Sequence, residues 1–417
     1  MAAKHSGKEE IGKQRCGAYR HAVADAHFYF ERFGWCERQL AAPVPTDLRL
    51  VVVIPCHDEP DLIGSLNSLQ ECDPIDGVEV IVVINGAEPD AQNERSRSEL
   101  REWIKPWFGL HVIEANNLPR KHAGVGLARK IGLDEAVRRL AEVGREEHGV
   151  IVCYDADCRC DSNLLGEISN HFESNPNSPG CSVYFEHPLS GDLEPQIYEA
   201  ITQYELHLRY YLEACRFTGH PFAYHTIGSS MAVRSGAYIR QGGMNKRKAG
   251  EDFYFLHKII PLGEFGEVNT TRVIPSPRIS DRVPFGTGRA VGEFCAGSDN
   301  VLRSYPLEAF RDLKQLFADV NSPTNKSPLR EFLSEIRFEE NLAEIRRQTS
   351  NDTAFQKRFF RWFDAFTLMK YVHHARDTKY GAPPVTEAAG ELMGPGEPRE
   401  LLLALRSRQR EFSPAER

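Results

Sequence analysis

The chain has 417 residues, and 41% of them are hydrophobic, which is enough for a sizeable core in one large domain with an appendage or in two domains. Its 51 basic and 59 acidic residues give a formal net charge of −8, which argues against a nucleic-acid partner held by bulk charge. Because no apolar run approaches the roughly 20 residues of a membrane span, and the first residues include charges rather than the apolar core of a signal peptide, we expect a cytoplasmic protein without a transmembrane segment.

The first half of the chain shows a regular alternation of patterns. Residues 1–46 are predicted to form an N-terminal helical extension, with an aromatic-rich helix at 21–40 before a proline-containing linker. Short apolar runs then alternate with helical patterns at 61–70, 91–103 and 123–140; the runs lie at 50–54, 78–84, 110–113 and 150–153. This alternation is typical of right-handed β-α-β units, so we expect an α/β fold with a mostly parallel sheet.

The second half changes character. A strand candidate at 182–185, a long amphipathic helix at 196–215 and a mixed segment at 227–274 complete a predicted domain over 47–300. Residues 301–417 read almost wholly helical and are predicted to form a C-terminal region. Aromatic and basic residues interleave at 355–366, a spacing more typical of a core face, although peripheral membrane contact stays open.

An acidic cluster follows the fourth apolar run. Asp155 and Asp157 lie two positions apart, so in an extended segment their carboxylates point the same way. Hard oxygen donors at the end of a buried strand suit Mg²⁺ or Mn²⁺ better than zinc. The alternative is a turn or a helix N-cap, and Asp161 is the residue predicted to cap a helix at 162–172.

Other polar residues are expected at the same edge of the sheet. The first strand ends at Pro55, Cys56 and His57, and the Asp58 or Glu59 that follows can hold a ribose or base or can cap the next helix. Asn85 follows the second strand.

Two glycine-containing segments carry cations. The segment 119–130 places Lys121, Gly124 and Arg129 at the start of a helix, where anions are favoured, but its spacing fits neither a dinucleotide fingerprint nor a Walker loop. The glycine-rich loop 280–289 carries Arg282 and Arg289 and is interpreted as a lid over a diphosphate or as an ordinary surface loop.

Taken in order, these motifs resemble glycosyltransferase family 2, the inverting enzymes of the GT-A fold. The resemblance covers about 48–274 and depends on 52–59, Ile84-Asn85-Gly86, 121–130, Asp155-Ala156-Asp157, 228–234 and Gly250-Glu251-Asp252. It implies that Asp157, with Asp155, ligates Mn²⁺ or Mg²⁺, and that Asp252 is the general base, with Glu251 as the alternative. The donor-binding residues expected are Pro55, His57, Asp58, Glu59, Asn85, Lys121, Gly124, Arg129, Asp155, Arg282 and Arg289.

The resemblance further implies metal-dependent transfer of one sugar, with inversion, from a nucleotide-sugar donor to an acceptor hydroxyl on a glycan, a small molecule or a lipid-linked molecule. In such a reaction a carboxylate deprotonates the acceptor, and a divalent cation takes the place of a general acid. UDP is the favoured nucleotide because it is common in the family. The alternatives are a retaining GT-A enzyme that makes a small glycoside and a non-catalytic nucleotide-sugar or carbohydrate-binding protein. His220, His225 and His257 are candidates for a further metal ligand, although a lone histidine is more often an ordinary core or surface residue.

Overall fold

A computed structural model describes residues 24–35, 37–87, 91–103, 106–247, 250–282, 286–297, 299–321 and 327–412. Its centre is an eight-stranded mixed sheet in the order β3-β2-β1-β4-β7-β6-β8-β5. The strands are β1 Leu50–Cys56, β2 Val78–Asn85, β3 Gly109–Ala115, β4 Val150–Cys153, β5 Arg159–Cys160, β6 Gly180–Phe185, β7 Met231–Arg234 and β8 Gly266–Ile274. The expected α/β fold with a mostly parallel sheet is confirmed, since β1 to β4 pair only in parallel with one another and β6 pairs in parallel with β8.

Helices cover both faces of the sheet, which explains why β1, β2 and β4 are buried along their whole length. The helices of this part are α1 Ala26–Arg32, α2 Leu62–Gln70, α3 Ala91–Glu102, α4 Val125–Glu142, α5 Leu164–Ser174, α6 Pro195–Phe217, α7 Ser235–Arg240, α8 Glu251–Ile259 and α9 Thr287–Ala296, with a 3₁₀ turn at Ile260–Leu262. One apolar core lies between the sheet and α4, α7 and α8, and a second lies under α2 and α5. Helix α4 approaches the sheet closely because Gly132 has no side chain; a Cβ there would lie 2.4 Å from Cγ1 of Val53.

The C-terminal region packs on α6 and forms a third apolar core. Its helices are α10 Leu307–Ala318, α11 Leu329–Glu335, α12 Phe338–Arg347, α13 Asp352–Trp362, α14 Ala365–Ala375, α15 Val385–Met393 and α16 Pro398–Glu411, with a π-helical turn at Arg376–Tyr380. The aromatic residues at 355–363 belong to this core, and Phe359 and Phe363 are fully buried in it. Phe366 instead contacts Phe253 and Tyr254 of α8. Core packing therefore accounts for the aromatic spacing at 355–366, for which peripheral membrane contact was the alternative.

The N-terminal helix is shorter than the sequence predicted. Instead of 21–40, α1 covers Ala26–Arg32, while residues 1–23 and 36 lie outside the described part of the chain. Its buried Tyr29 donates a hydrogen bond to Oδ1 of Asp134 at 2.6 Å, which fixes α1 on α4. Across the described ranges, no helix is both long and apolar enough to cross a bilayer.

The predicted N-cap of α5 is wrong. The cap residue is Asn163, and Asp161 instead accepts hydrogen bonds from Arg272 of β8 at 2.9 and 3.2 Å. A cross-strand ion pair with arginine thus replaces the local cap that the sequence spacing favoured.

Candidate active site

The carboxyl ends of β1 and β4 meet the first turns of α4 and α8 at one edge of the sheet, and a buried arginine links them. Arg129, in the second turn of α4, donates through Nη2 to Oδ1 of Asp155 at 2.5 Å. Its other terminal nitrogen, Nη1, donates to Oε1 of Glu251. The acidic triplet after β4 and the Glu251-Asp252 pair, almost 100 positions apart in sequence, therefore share one cleft.

This arginine fits because position 228 is glycine, and glycine at position 126 lets α4 pack closely against the segment before α8. A Cβ at Gly228 would lie 2.8 Å from Nη1 of Arg129, and a Cβ at Gly126 would lie 2.1 Å from the main-chain oxygen of Arg247. Any larger residue at 228 would displace the guanidinium from the two carboxylates. The glycine that opens the motif at 228–234 thus has a steric role.

Glu251 and Asp252 occupy the first turn of α8, where the positive end of the helix dipole favours acids. Gly250 begins the helix in the left-handed conformation, with φ of 68°. Burial raises the pKa of both carboxyls, and the charge of Arg129 opposes this shift. The charge of Asp155 raises the pKa of both further, and Asp252 also raises that of Glu251. Oδ1 of Asp252 accepts a hydrogen bond from the Phe253 N–H at 2.7 Å.

Two further arginines, Arg278 and Arg282, converge on Glu59, which follows the end of β1. The Glu59 side chain is almost fully buried and forms a two-point ion pair with Arg278, one contact being 2.7 Å between Nη1 and Oε1. Nη1 of Arg282 lies 3.2 Å from Oε2 of Glu59 and donates to the main-chain oxygen of His57 at 2.6 Å. Nη2 of Arg278 also lies 3.4 Å from Oδ2 of Asp157, so these cations reach the acidic triplet.

The donor set at Asp155 and Asp157 fits a divalent cation that also binds substrate oxygens. Burial, reinforced by the charge of Asp155, raises the pKa of Asp157 to about 6, although Arg278 opposes the shift. Two carboxylates held close enough to repel each other are stabilised by a cation between them. Within the described ranges, no cluster of three or more His, Cys, Asp or Glu side chains is placed to hold a metal ion, so phosphate oxygens or water would complete the coordination.

The remaining expected donor residues from β1 and β2 lie at the same edge. Pro55 pairs with Val83 of β2 near the end of β1, and Asp58, three positions later, has a positive φ of 48°. His57 Nδ1 lies 2.9 Å from the main-chain oxygen of Asn85. The side-chain Oδ1 of Asn85 is buried and accepts no hydrogen bond from any residue that the structure describes, which marks it as an acceptor for a ligand at the strand end.

The other three expected residues are placed differently. Gly124 is the N-cap of α4, and Lys121 is exposed in the loop before it. Arg289 lies on α9 and pairs with Glu293 at 2.6 Å on the same helix, so it is not brought to the Glu59 cluster as Arg282 is. Of the proposed lid, residues 283–285 lie outside the described part of the chain.

The three candidate histidines do not contact Asp155 or Asp157; each has another partner. His220 Nε2 lies 3.0 Å from the main-chain oxygen of Phe363, His225 Nε2 lies 3.2 Å from Oε1 of Gln409, and His257 pairs with Asp364 at 3.0 Å. Arg278 is the site residue that the sequence reading missed. It follows β8 within the segment Pro275-Ser276-Pro277-Arg278, four positions before Arg282, and a basic residue just after a late strand was the available signal.

Comparison with known proteins identifies the domain that holds most of this cleft. Residues 51–238 match the model of the family described as Glycosyl transferase family 2. These residues form a family 2 glycosyltransferase domain. The matched segment includes Asp155, Asp157 and Gly228 and ends before Glu251. The chain is a glycosyltransferase, as its motifs predicted.

No curated protein matches the chain. Among solved structures, it is similar to TarS 1-349 of S. aureus in complex with UDP-GlcNAc, with 13% identity and a TM-score of 0.39 over 70% of this chain and 79% of that one. It is also similar to the mannosyltransferase PcManGT from Pyrobaculum calidifontis in complex with GDP-Man and Mn²⁺, with 15% identity and a TM-score of 0.40 over 94% of this chain and 89% of that one.

Proposed function

We propose that this glycosyltransferase moves a single sugar from a nucleotide-sugar donor, with a UDP-sugar favoured, to an acceptor hydroxyl, with inversion and with a divalent cation. The observation that supports it is the double ion pair of Arg129 with Asp155 and Glu251. A single displacement needs a metal-diphosphate site and a base on opposite sides of one sugar carbon. Arg129 holds the two groups of acids that supply these parts in one cleft.

Asp252, rather than Glu251, is the proposed general base. Glu251 is almost fully buried and is tied directly to Arg129. Asp252 is held by main-chain N–H groups, including that of Phe253, and a carboxylate has capacity for further hydrogen bonds. In this arrangement Asp252 takes the proton of the acceptor hydroxyl, and Glu251 fixes Arg129 beside Asp155.

Asp155 and Asp157 are the proposed ligands of Mn²⁺ or Mg²⁺. A cation bound by these two residues would neutralise the negative charge that develops on the diphosphate leaving group. In other enzymes a general acid has this role. Arg278 and Arg282 lie next to Asp157 and Glu59, where they are positioned to bind phosphate oxygens. Asn85, with its buried acceptor, is proposed to contact the nucleoside.

Two measurements test the proposal. Purified protein is screened by thermal shift with UDP and GDP in the presence of Mn²⁺, and stabilisation by UDP that disappears in excess chelator is the expected result. Product configuration is then read by NMR with the nucleotide-sugar that is turned over. Retention of the anomeric configuration would assign the chain to the retaining alternative, and full activity in chelator would remove the metal role of Asp157.

A further inference from the structure

A cavity of about 200 Å³ lies between the glycosyltransferase domain and the C-terminal region. Its walls come from the C-terminal half of α6, the segment 220–227, the first two turns of α8 and the start of α14. Leu208, Phe253 and Leu368 are among the lining side chains, one from each of the three helices. We call this space the interdomain cavity.

The interdomain cavity borders the proposed base. Ile227 and Phe253 both line it, and they are the chain neighbours of Gly228 and Asp252. The main-chain N–H groups of Gly228 and Phe253 hydrogen-bond to Asp252. Both main-chain segments that hold Asp252 therefore also contribute a side chain to the cavity wall.

The C-terminal region is fixed to this wall of the cavity. Nε2 of His257 of α8 lies 3.0 Å from Oδ2 of Asp364, and Asp364 also caps α14 by accepting from the Thr367 N–H at 2.8 Å. This pair joins α8, which begins with the proposed catalytic acids, directly to α14. The cavity is therefore formed by both parts of the chain, and neither part alone encloses it.

The lining is mostly apolar, and two of its three histidines, His220 and His225, are neutral at pH 7. Burial lowers the pKa of His220 to about 4 and that of His225 to about 3. Ring nitrogens of both are already engaged, with the main-chain oxygen of Phe363 and with Gln409. Such a surface favours an uncharged apolar group over a phosphate or a carboxylate.

We propose that the interdomain cavity binds the apolar part of the acceptor, and that the acceptor is an alcohol carrying a single ring or a short alkyl group. This inference rests on the proposed function, because it uses Asp252 as the base. An engineered apolar cavity of ~150 Å³ stays dry and binds benzene, so a space of about 200 Å³ is of the size for one ring with its substituent. The acceptor hydroxyl then lies toward Asp252.

Binding is tested first, with benzyl alcohol as the probe and without donor or metal. Ligand-observed NMR titrations compare the natural chain with Ala365→Phe, which fills the cavity from α14, and with Ala223→Leu, which fills it from the segment 220–227. The matched control is Ala404→Phe on the exposed side of α16. The natural chain and the control should bind benzyl alcohol saturably, and both filled variants should bind at least ~10-fold more weakly. Equal binding by all four proteins, or none by the natural chain, would overturn the proposal.

Transfer is tested next, with the nucleotide-sugar that the chain hydrolyses. Benzyl alcohol should act as acceptor with a KM at least ~10-fold below that of methanol in the natural chain, and this ratio should approach one in Ala365→Phe. Tight binding with no such ratio would make the cavity an effector site and contradict the acceptor role. Stabilisation by UDP with Mn²⁺ is measured on every variant; its retention shows that the variant is folded, and its absence from the natural chain would count against the proposed donor site rather than the cavity.

Discussion

Two clusters of buried charge in this molecule differ in balance. In the Glu205 cluster, which comprises Glu205, Arg209, Arg406 and His187, one carboxylate on α6 is met by two arginines at 2.6 and 2.7 Å and by a histidine at 3.0 Å. Although burial opposes it, the charge of Arg209 and hydrogen bonds from His187 and Arg406 lower the pKa of Glu205 well below its usual range. The cluster joins α16 to α6 and the end of β6.

The catalytic cleft has the opposite balance. Its carboxyl groups, on Glu59, Asp155, Asp157, Glu251 and Asp252, outnumber its guanidinium groups, on Arg129, Arg278 and Arg282. Burial raises the pKa of Asp157, Glu251 and Asp252 there. Buried charges that satisfy one another become strongly destabilising only when one partner is removed, whereas an excess of buried acid is destabilising by itself and is typical of a site that binds a cation or moves a proton.

The largest effect is expected at the base. Asp252→Asn should lower kcat by ~10²–10⁴ and leave donor binding nearly unchanged, because the amide cannot accept the acceptor's proton. The effect is measured by steady-state kinetics together with UDP binding by calorimetry. Glu251→Gln is the companion variant, and if it loses as much turnover while Asp252→Asn retains it, the two acids have exchanged parts.

The Glu205 cluster should respond through stability instead. Glu205→Gln removes the charge that two buried arginines share, and breaking a buried ion pair from one side costs about 3–5 kcal/mol. Denaturant unfolding should show this loss in the free energy of unfolding. Mn²⁺-dependent binding of UDP by the protein that remains folded should not change, and a large change would mean that the two clusters are coupled.

Acid should separate the clusters as well. The proposed metal site uses the Asp157 carboxylate, and because its pKa is raised to about 6, the affinity for Mn²⁺ should fall by up to ~10-fold between pH 7 and pH 5. Glu205 stays ionised over that range, since its folded pKa is depressed and its contribution to stability is lost only as the pH falls through that low value. Calorimetry at both pH values measures the first, and the difference in unfolding free energy between the natural chain and Glu205→Gln at both pH values measures the second. An affinity independent of pH would show that Asp157 is not a ligand.

The smallest effect distinguishes the two loop arginines. Arg282 contacts Glu59 and the main chain of His57, whereas Arg289 pairs with Glu293 on α9. Arg282→Ala should raise the KM for the donor by ~10-fold, and Arg289→Ala should change it by less than ~2-fold. Equal effects would place both arginines on the donor through closure of the loop.

The sequence predicted those features that local pattern determines. Apolar runs identified β1 to β4 and β6, and strand ends indicated Asp155, Asp157 and Glu59, because parallel strands present their carboxyl ends at one edge. Contacts between distant segments could not be predicted from local pattern. Arg278 contacts Glu59 across 219 positions of sequence, and Arg406 contacts Glu205 across 201. The Asp161 cap was wrong for the same reason, since Arg272 lies 111 positions away and outcompetes a local hydrogen bond.

The central claim is that the excess of carboxyl groups in the cleft, although it destabilises the free protein, serves to bind a divalent cation together with the donor. Asp157→Asn tests this most directly, by thermal unfolding with and without Mn²⁺ and UDP. At pH 7.5 and without ligands the variant should be at least as stable as the natural chain, because a carboxyl with a pKa of about 6 costs the fold about 3 kcal/mol when ionised, relative to an ordinary aspartate. Mn²⁺ and UDP together should stabilise the natural chain and not the variant; equal stabilisation of both would contradict the account.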